Sequence, residues 1–280
     1  MSKSQNAAVT VGDLTIAYDT VGEGAPPLVL VHGFTGARSD FESVRERLAD
    51  RREVITVDNR GHGGTSNPED PSTYNFDQLV ADLAGFLDEV TDEPVHLLGH
   101  SMGGMIAMRF ALEHADRLES LVLMDTSAAG PDMPIEFTDE IAEMIFGPVR
   151  EGGLDAFRKW SSSRESPERD LFIATKGQDW LDRNEDDRYA VLDPNVVLFM
   201  GPQVFGHKSV LDRLGSLAVP VTIIVGSNDA AFVRPSQAMN EVIPESELVV
   251  IEGAYHSPQH THPDEWIAAV EAHLGGHEHS

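Results

Sequence analysis

Ser101 stands at the centre of the run Gly99-His100-Ser101-Met102-Gly103, and a serine between glycines at that spacing is a candidate nucleophile. Glycines two positions to either side suit a turn in which strand and helix pack too closely to leave room for a Cβ. The central residue of such a turn is held in a strained backbone conformation costing roughly 1–3 kcal/mol. The strain exposes the serine oxygen. Because Met102 opens the following helix, its amide is aimed at the point where negative charge collects during attack on a carbonyl. The bare pattern occurs by chance in roughly one chain of this length in ten, so its setting decides its meaning. A largely apolar run precedes it, and Met102, Met105, Ile106 and Phe110 follow at helical spacing, which is the strand-turn-helix of a nucleophile elbow.

A serine hydroxyl is a poor nucleophile near neutral pH and needs a base, which needs a carboxylate to orient it. In a fold built on such an elbow both sit at the carboxyl ends of later strands, in the order Ser, acid, His. Asp229 follows an apolar strand at 221–225, in Gly226-Ser227-Asn228-Asp229. His256 follows the strand 248–251, in Gly253-Ala254-Tyr255-His256. Asp125, which ends the strand 118–124, is the alternative acid, and His100 either faces the site or packs beneath it. His256, His260 and His262 resemble a metal cluster, but no carboxylate accompanies them in a fixed geometry, so neither metal nor organic cofactor is expected. Arg60 and His62 read as stabilisers of a turn, and His32 as the holder of a loop.

These residues need a scaffold of alternating strands and helices. A hairpin signal, Gly12-Asp13, separates strands at 9–11 and 14–19, and the continuous apolar run 28–31 suits a strand buried on both faces. Ser39-Asp40 can cap a helix to about residue 50; a strand at 53–57 and a helix at 76–90 with Leu79, Leu83 and Phe86 at core spacing lead to the elbow. After 118–124 the alternation breaks. Residues 127–215 show helical periodicity, scattered aromatics and no strong strand. Strands then resume, with helices near 235–242 and 263–274. The expected fold is α/β: a doubly wound, mostly parallel, eight-stranded sheet with an inserted all-helical cap. Residues 1–126 and 216–280 form the core, and 127–215 the cap. The tail 275–280, with His277 and His279, reads as disordered.

Composition excludes several roles. The 280 residues include 47 acidic against 20 basic, a net charge of −27, and only four lysines (Lys3, Lys159, Lys176 and Lys208). Such a surface repels nucleic acid and anionic membranes, and reads either as a solubility charge or as adaptation to high salt. No cysteine is present, which excludes disulfides and thiolate chemistry. The polar stretch 1–10 has no signal-peptide core and no run approaches the ~20 residues of a membrane span, so a soluble, cytoplasmic protein is expected. Nothing in the sequence points to an oligomeric state.

Taken together the motifs resemble the α/β-hydrolase superfamily, in the branch with a helical cap after the sixth strand. His32-Gly33-Phe34 is similar to its oxyanion loop, 58–66 to its D-x-R-G-x-G-x-S turn with one glycine spacing changed, and 214–220 to its lead into strand seven. Ala254-Tyr255-His256 with Pro263 resembles its terminal histidine pattern. The resemblance implies that Phe34 and Met102 donate backbone amides to an oxyanion while their side chains line the pocket. Trp160 is the cap's candidate for the substrate wall. The cap's aromatics predict a small, apolar acyl or ring-bearing substrate. The expected function is hydrolysis of a carboxylic ester or lactone through an acyl-serine on Ser101. The alternatives are carbon-carbon bond hydrolysis or a lyase reaction on the same scaffold, or a non-catalytic small-molecule receptor.

Overall fold

The computed structural model describes residues 5–133 and 135–276. Strands β1 (Gln5–Val11) and β2 (Leu14–Val21) form the leading hairpin, turned at Gly12 with φ of 57°. β3 (Leu28–Val31), β4 (Val54–Val57), β5 (Val95–His100), β6 (Leu118–Met124), β7 (Val221–Gly226) and β8 (Glu247–Ile251) complete one sheet in the order β1-β2-β4-β3-β5-β6-β7-β8. β2 runs antiparallel to both its neighbours; the pairings from β4 through β3, β5, β6 and β7 to β8 are parallel. Every residue of β3, β4, β5 and β7 is buried, as apolar strands covered on both faces must be.

The period of two distributes side chains between two cores. On β5, Leu97 enters one and Leu98 the other. Helices α1 (Glu42–Leu48), α2 (Phe76–Val90) and α3 (Met102–Glu113) follow β3, β4 and β5. Leu79, Leu83 and Phe86 of α2 and Met105 and Phe110 of α3 cover one face. Asn75 caps α2, its side chain accepting from the Gln78 amide at 2.9 Å. The expected helix from Ser39 begins later, because 38–41 forms a tight 3-10 turn in which the Asp40 carboxylate accepts from the Ala37 amide at 3.3 Å.

Between β6 and β7 the regular elements among the described residues are helical: α4 (Asp139–Ser162, broken at Gly152 and Gly153), α5 (Pro167–Lys176), α6 (Gln178–Val191), a π-helical turn at Val196–Met200, α7 (Gly201–Gly206) and α8 (Leu211–Leu214). This insertion is tied to the segment between β4 and α2 through polar contacts. The Tyr74 hydroxyl donates to Asp193 at 2.7 Å, and the Asp193 amide to the Gly61 carbonyl at 2.9 Å.

α9 (Val233–Val242), α10 (Pro258–Thr261) and α11 (Pro263–Gly275) finish the chain. Trp266, Val270 and Leu274 of α11 join Val44 and Leu48 of α1 over the second face. Of the segment 275–280, Gly275 still belongs to α11, and residues 277–280, with His277 and His279, lie outside the described residues, as do the first four residues of the polar stretch 1–10. No described helix is long and apolar enough to cross a membrane.

Candidate active site

Ser101 sits between β5 and α3 at φ 54° and ψ −117°, a conformation that L-residues adopt only under constraint. The constraint is close packing. A Cβ on Gly99 would stand 2.3 Å from the Gly103 carbonyl oxygen, and one on Gly103 would stand 2.2 Å from the Val31 carbonyl oxygen. Hydrogen bonds fix the apex: the Ser101 amide donates to Met124 O at 2.9 Å, and the Thr126 hydroxyl to Ser101 O at 2.6 Å. The spacing of the two glycines was the legible part of this turn; the clamp supplied by Thr126 was not.

His256 and Asp229 arrive from the loops after β8 and β7. His256 Nδ1 donates to Asp229 Oδ2 at 2.7 Å, which leaves Nε2 to face other groups. Burial works to lower the His256 pKa, but the hydrogen bond and charge of Asp229, with Glu168 beyond them, outweigh it and hold the ring above its ordinary 6.5. The side chain is 29% exposed, so its burial is incomplete and the ring is open to the cavity beside it.

Asp125 packs behind this pair. Its Oδ1 accepts from the Gly226 amide at 2.9 Å, and its Oδ2 has no hydrogen-bond partner among the described residues. Ligand-capable atoms of Asp125, Asp229 and His256 lie within 4.8 Å of one another, the sole such grouping of three among the described residues. Burial first and the Asp229 charge second push the Asp125 carboxyl well above the ordinary carboxylate range. Two buried carboxylates in contact cannot both ionise cheaply, which shifts the Asp125 carboxyl toward its protonated form. His260 and His262 do not join His256 in that grouping. A second serine-histidine cluster, Ser120 with His96 and His273 at 2.7 Å each, is sealed under the sheet with Ser120 fully buried.

His100 lies between the two alternatives open to it. It borders the cavity, yet its Nε2 donates to the His256 carbonyl at 2.8 Å, and burial, then His256, push its pKa down to about 3. The 33–36 turn, closed by the Gly36 amide on Gly33 O at 3.1 Å, reaches the nucleophile: a Cβ on Gly33 would lie 3.1 Å from Ser101 Cβ. His32 holds that loop, with Nδ1 donating to Gly33 O at 2.8 Å and Nε2 accepting from the Asn59 amide at 3.0 Å. Met102 is the first residue of α3, where a helix leaves its amide without an intrahelical acceptor. Arg60 is a turn anchor, bidentate on Asp82 at 2.7 Å for both bonds. His62 Nδ1 meets the Arg60 carbonyl at 2.9 Å.

A cavity of about 210 Å3 connects Ser101, His256 and Phe34 with α5 and α6 of the insertion. The cleft beside Arg38 and Asp58 is larger, about 460 Å3, but neither Ser101 nor His256 borders it. The aromatic wall was expected from composition and is there in part, as Phe34, Phe172 and Trp180. Trp160 is not among the lining residues; it stacks on Phe157 at 6.1 Å and lies under the Arg164 guanidinium. Nor does the Met102 side chain line the cavity, being fully buried in the core. Phe137, Phe146, Phe157 and Phe205 pack against one another or against the core, so most of the aromatic content serves the insertion itself.

The expectation of an apolar pocket is corrected by Asp40, Glu168, Asn184, Arg188, Gln259 and His260, which share the wall. Helical spacing held the signal: Glu168 and Phe172 are four apart on α5, and Trp180, Asn184 and Arg188 four apart on α6, so each set shares a face.

Two curated relatives align with nearly the whole chain. A Bacillus subtilis (strain 168) protein named as a 2-succinyl-6-hydroxy-2,4-cyclohexadiene-1-carboxylate synthase is 27% identical over 264 residues, 89% of this chain and 91% of the relative. The pimeloyl-(acyl-carrier protein) methyl ester esterase of Aeromonas hydrophila subsp. hydrophila is 26% identical over 269 residues, 94% of this chain and 100% of the relative. Among solved structures, a thermophilic esterase from Thermogutta terrifontis, studied with malate bound, superposes with a TM-score of 0.82 at 28% identity, over 97% of this chain and 98% of that one. The family signature itself runs over residues 26–263, from the loop before β3 to the start of α11, and so takes in every element that carries the site: the chain belongs to the alpha/beta hydrolase fold family.

Proposed function

We propose that the protein hydrolyses a carboxylic ester or lactone through an acyl-serine on Ser101. The observation that carries this reading is the 2.7 Å bond from His256 Nδ1 to Asp229, made at a cavity that both His256 and the strained Ser101 border. Ser101 Oγ attacks the carbonyl carbon as its proton passes to His256 Nε2, and the new C–O bond leaves negative charge on the carbonyl oxygen. The amides of Phe34 and Met102 are the donors for that charge, each worth about 10²–10³ in rate where such donors have been removed. His256 then protonates the leaving oxygen as the acyl-alcohol bond breaks. A water, deprotonated by His256, releases the acid. Asp229 holds the tautomer throughout and stabilises the imidazolium.

The test is Ser101→Ala with a serine-directed phosphonate. Ester turnover should fall by about 10⁴-fold or more, and labelling of the wild type should stop turnover and vanish in the variant. Full-length similarity to a synthase as well as to esterases supports a second reading, a lyase or carbon-carbon bond reaction in which His256 acts without an acyl-enzyme. Near-wild-type turnover by Ser101→Ala on the best substrate would put that reading first.

A further inference from the structure

We propose that the cavity beside Ser101 seats a hydroxyl-rich leaving alcohol, making the substrate an ester of a small polyol such as a glyceryl or sugar ester. The proposal rests on the acyl-serine reading and specifies its alcohol.

The first argument is the wall's unmet hydrogen bonding. Among the described residues, Asp40 Oδ1, His100 Nδ1, Glu168 Oε1, Arg188 Nε, Gln259 Oε1 and His260 Nδ1 are buried atoms without a hydrogen-bond partner, and all six residues line this one cavity. Asp40, His100, Gln259 and His260 are each under 10% exposed. Buried polar groups of native proteins are almost always satisfied, and among the described residues these six atoms have no hydrogen-bond partner, so a ligand in the cavity is where the side chains that carry them can find one, by turning toward it.

The second argument is the mixture of donors and acceptors. Burial alone would raise the Asp40 carboxyl, but Arg188, then His260, hold it below its ordinary value, so it only accepts. His100 spends its N–H on the His256 carbonyl, which leaves Nδ1 as a bare acceptor, and Gln259 Oε1 accepts too. Arg188 only donates. A carboxylate or phosphate would meet Arg188, whose charge already lies 3.9 Å from Asp40, and would be repelled by Asp40. An ammonium would leave Arg188 unmet, and an alkyl alcohol would leave the whole wall unmet. A hydroxyl both donates and accepts.

The third argument is position. His256 must deliver its proton to the leaving oxygen, so the alcohol lies on the His256 side of Ser101. The polar wall is on that side: the His100 ring is 4.9 Å from the His256 ring, and Gln259 and His260, in α10, follow His256 closely in the chain. The cavity, about 210 Å3, far exceeds the ~10–15 Å3 that a single water needs and has room for a small polyol.

The experiment compares kcat/KM on three butyrates that differ in the alcohol: 1-butyryl glycerol, propyl butyrate and butyrylcholine. A site built to bind hydroxyls rejects an analogue lacking them, so the glyceryl ester should exceed the propyl ester by about tenfold or more. In Gln259→Leu and in Arg188→Met that ratio should shrink to about threefold or less. Both rates are read on one preparation, so the ratio does not depend on how much of a variant folds. A propyl or choline ester turned over as well as the glyceryl ester, or a ratio unmoved in both variants, overturns the inference. Phosphonate labelling of Ser101 without a glyceryl preference overturns this inference alone; no labelling and no turnover overturns the acyl-serine reading with it.

Discussion

Replacing Asp229 by Asn changes one charge and almost no volume, and the structure fixes what should follow. The carboxylate accepts from His256 Nδ1 at 2.7 Å and is itself only 9% exposed, so the bond is charge-assisted and poorly screened. An amide can present its NH2 to Nδ1 and impose the wrong tautomer, an effect that costs about 10⁴ in kcat in the serine protease used as the general template. We expect a fall of about 10³–10⁴ in kcat/KM, which at 1.36 kcal/mol per decade is roughly 4–5.5 kcal/mol of transition-state stabilisation. The pH profile should move too. His256 works as the free base, so activity is lost as pH falls through its pKa, which Asp229 holds above 6.5. Without that charge the burial effect is left in excess, and the acid limb should shift to lower pH.

Asp125→Asn is the control, because the two acids differ in state. A carboxyl shifted toward its protonated form is mimicked by an amide: Oδ1 can still accept from Gly226, and Nδ2 can donate toward Asp229. Its rate should stay within about threefold of wild type. The assay is kcat/KM on a p-nitrophenyl ester from about pH 5 to 9 for both variants. A larger loss in Asp125→Asn than in Asp229→Asn, or an acid limb that does not move in Asp229→Asn, would refute the assignment of the two carboxylates.

Gly103→Ala should lower the melting temperature and the rate together, since its Cβ would stand 2.2 Å from the Val31 carbonyl and force β3 and α3 apart at a cost of about 1–3 kcal/mol or more; a variant with unchanged Tm would contradict the packing argument. Arg60→Ala leaves the Asp82 carboxylate without its bidentate partner and should destabilise by about 3–5 kcal/mol in chemical denaturation, with 1% exposure of Arg60 as the reason solvent cannot compensate. With 47 acids against 20 bases, the surface repels itself, so Tm should rise by a few degrees between low salt and about 1 M NaCl, where the Debye length shrinks to ~3 Å; a flat curve would show that the charge is inert.

The parts of this molecule that were legible in the sequence are those where one local rule decides the outcome. Alternating strands and helices, with apolar runs at 28–31, 95–98 and 221–225, specified a sheet covered on both faces. Gly99 and Gly103 specified the sharp turn. Asp229 and His256 were found from their place after a strand. The wall of the cavity was hidden for a different reason. Phe146, Phe157, Phe172 and Trp180 are alike in composition, but whether a ring faces its own core or the nucleophile depends on how α4, α5 and α6 cross, and that is set by tertiary packing. Arg188 and Gln259 belong to no motif; only the fold brings them to the cavity beside Ser101.

The distribution of backbone strain shows how the sheet makes such a site possible. Four described residues other than glycine have φ above zero, and three of them, Thr35, Ser101 and Asp125, stand just beyond the carboxyl ends of β3, β5 and β6, which are neighbours in the sheet. Each such position costs of order 1–3 kcal/mol and persists only where its surroundings over-determine it. The parallel ladder supplies the over-determination, because the last strand pairings continue one residue past the strands: Ser101 N donates to Met124 O at 2.9 Å and Asp125 N to Ile224 O at 2.8 Å. The chain therefore reverses sharply at Ser101 and Asp125 while both remain bonded to the neighbouring strand. The serine is held above the sheet edge, and Asp125 is pressed against the loop that carries Asp229. Weakening the ladder at Met124 or Ile224 should thus loosen nucleophile and acid together, although neither residue touches a substrate.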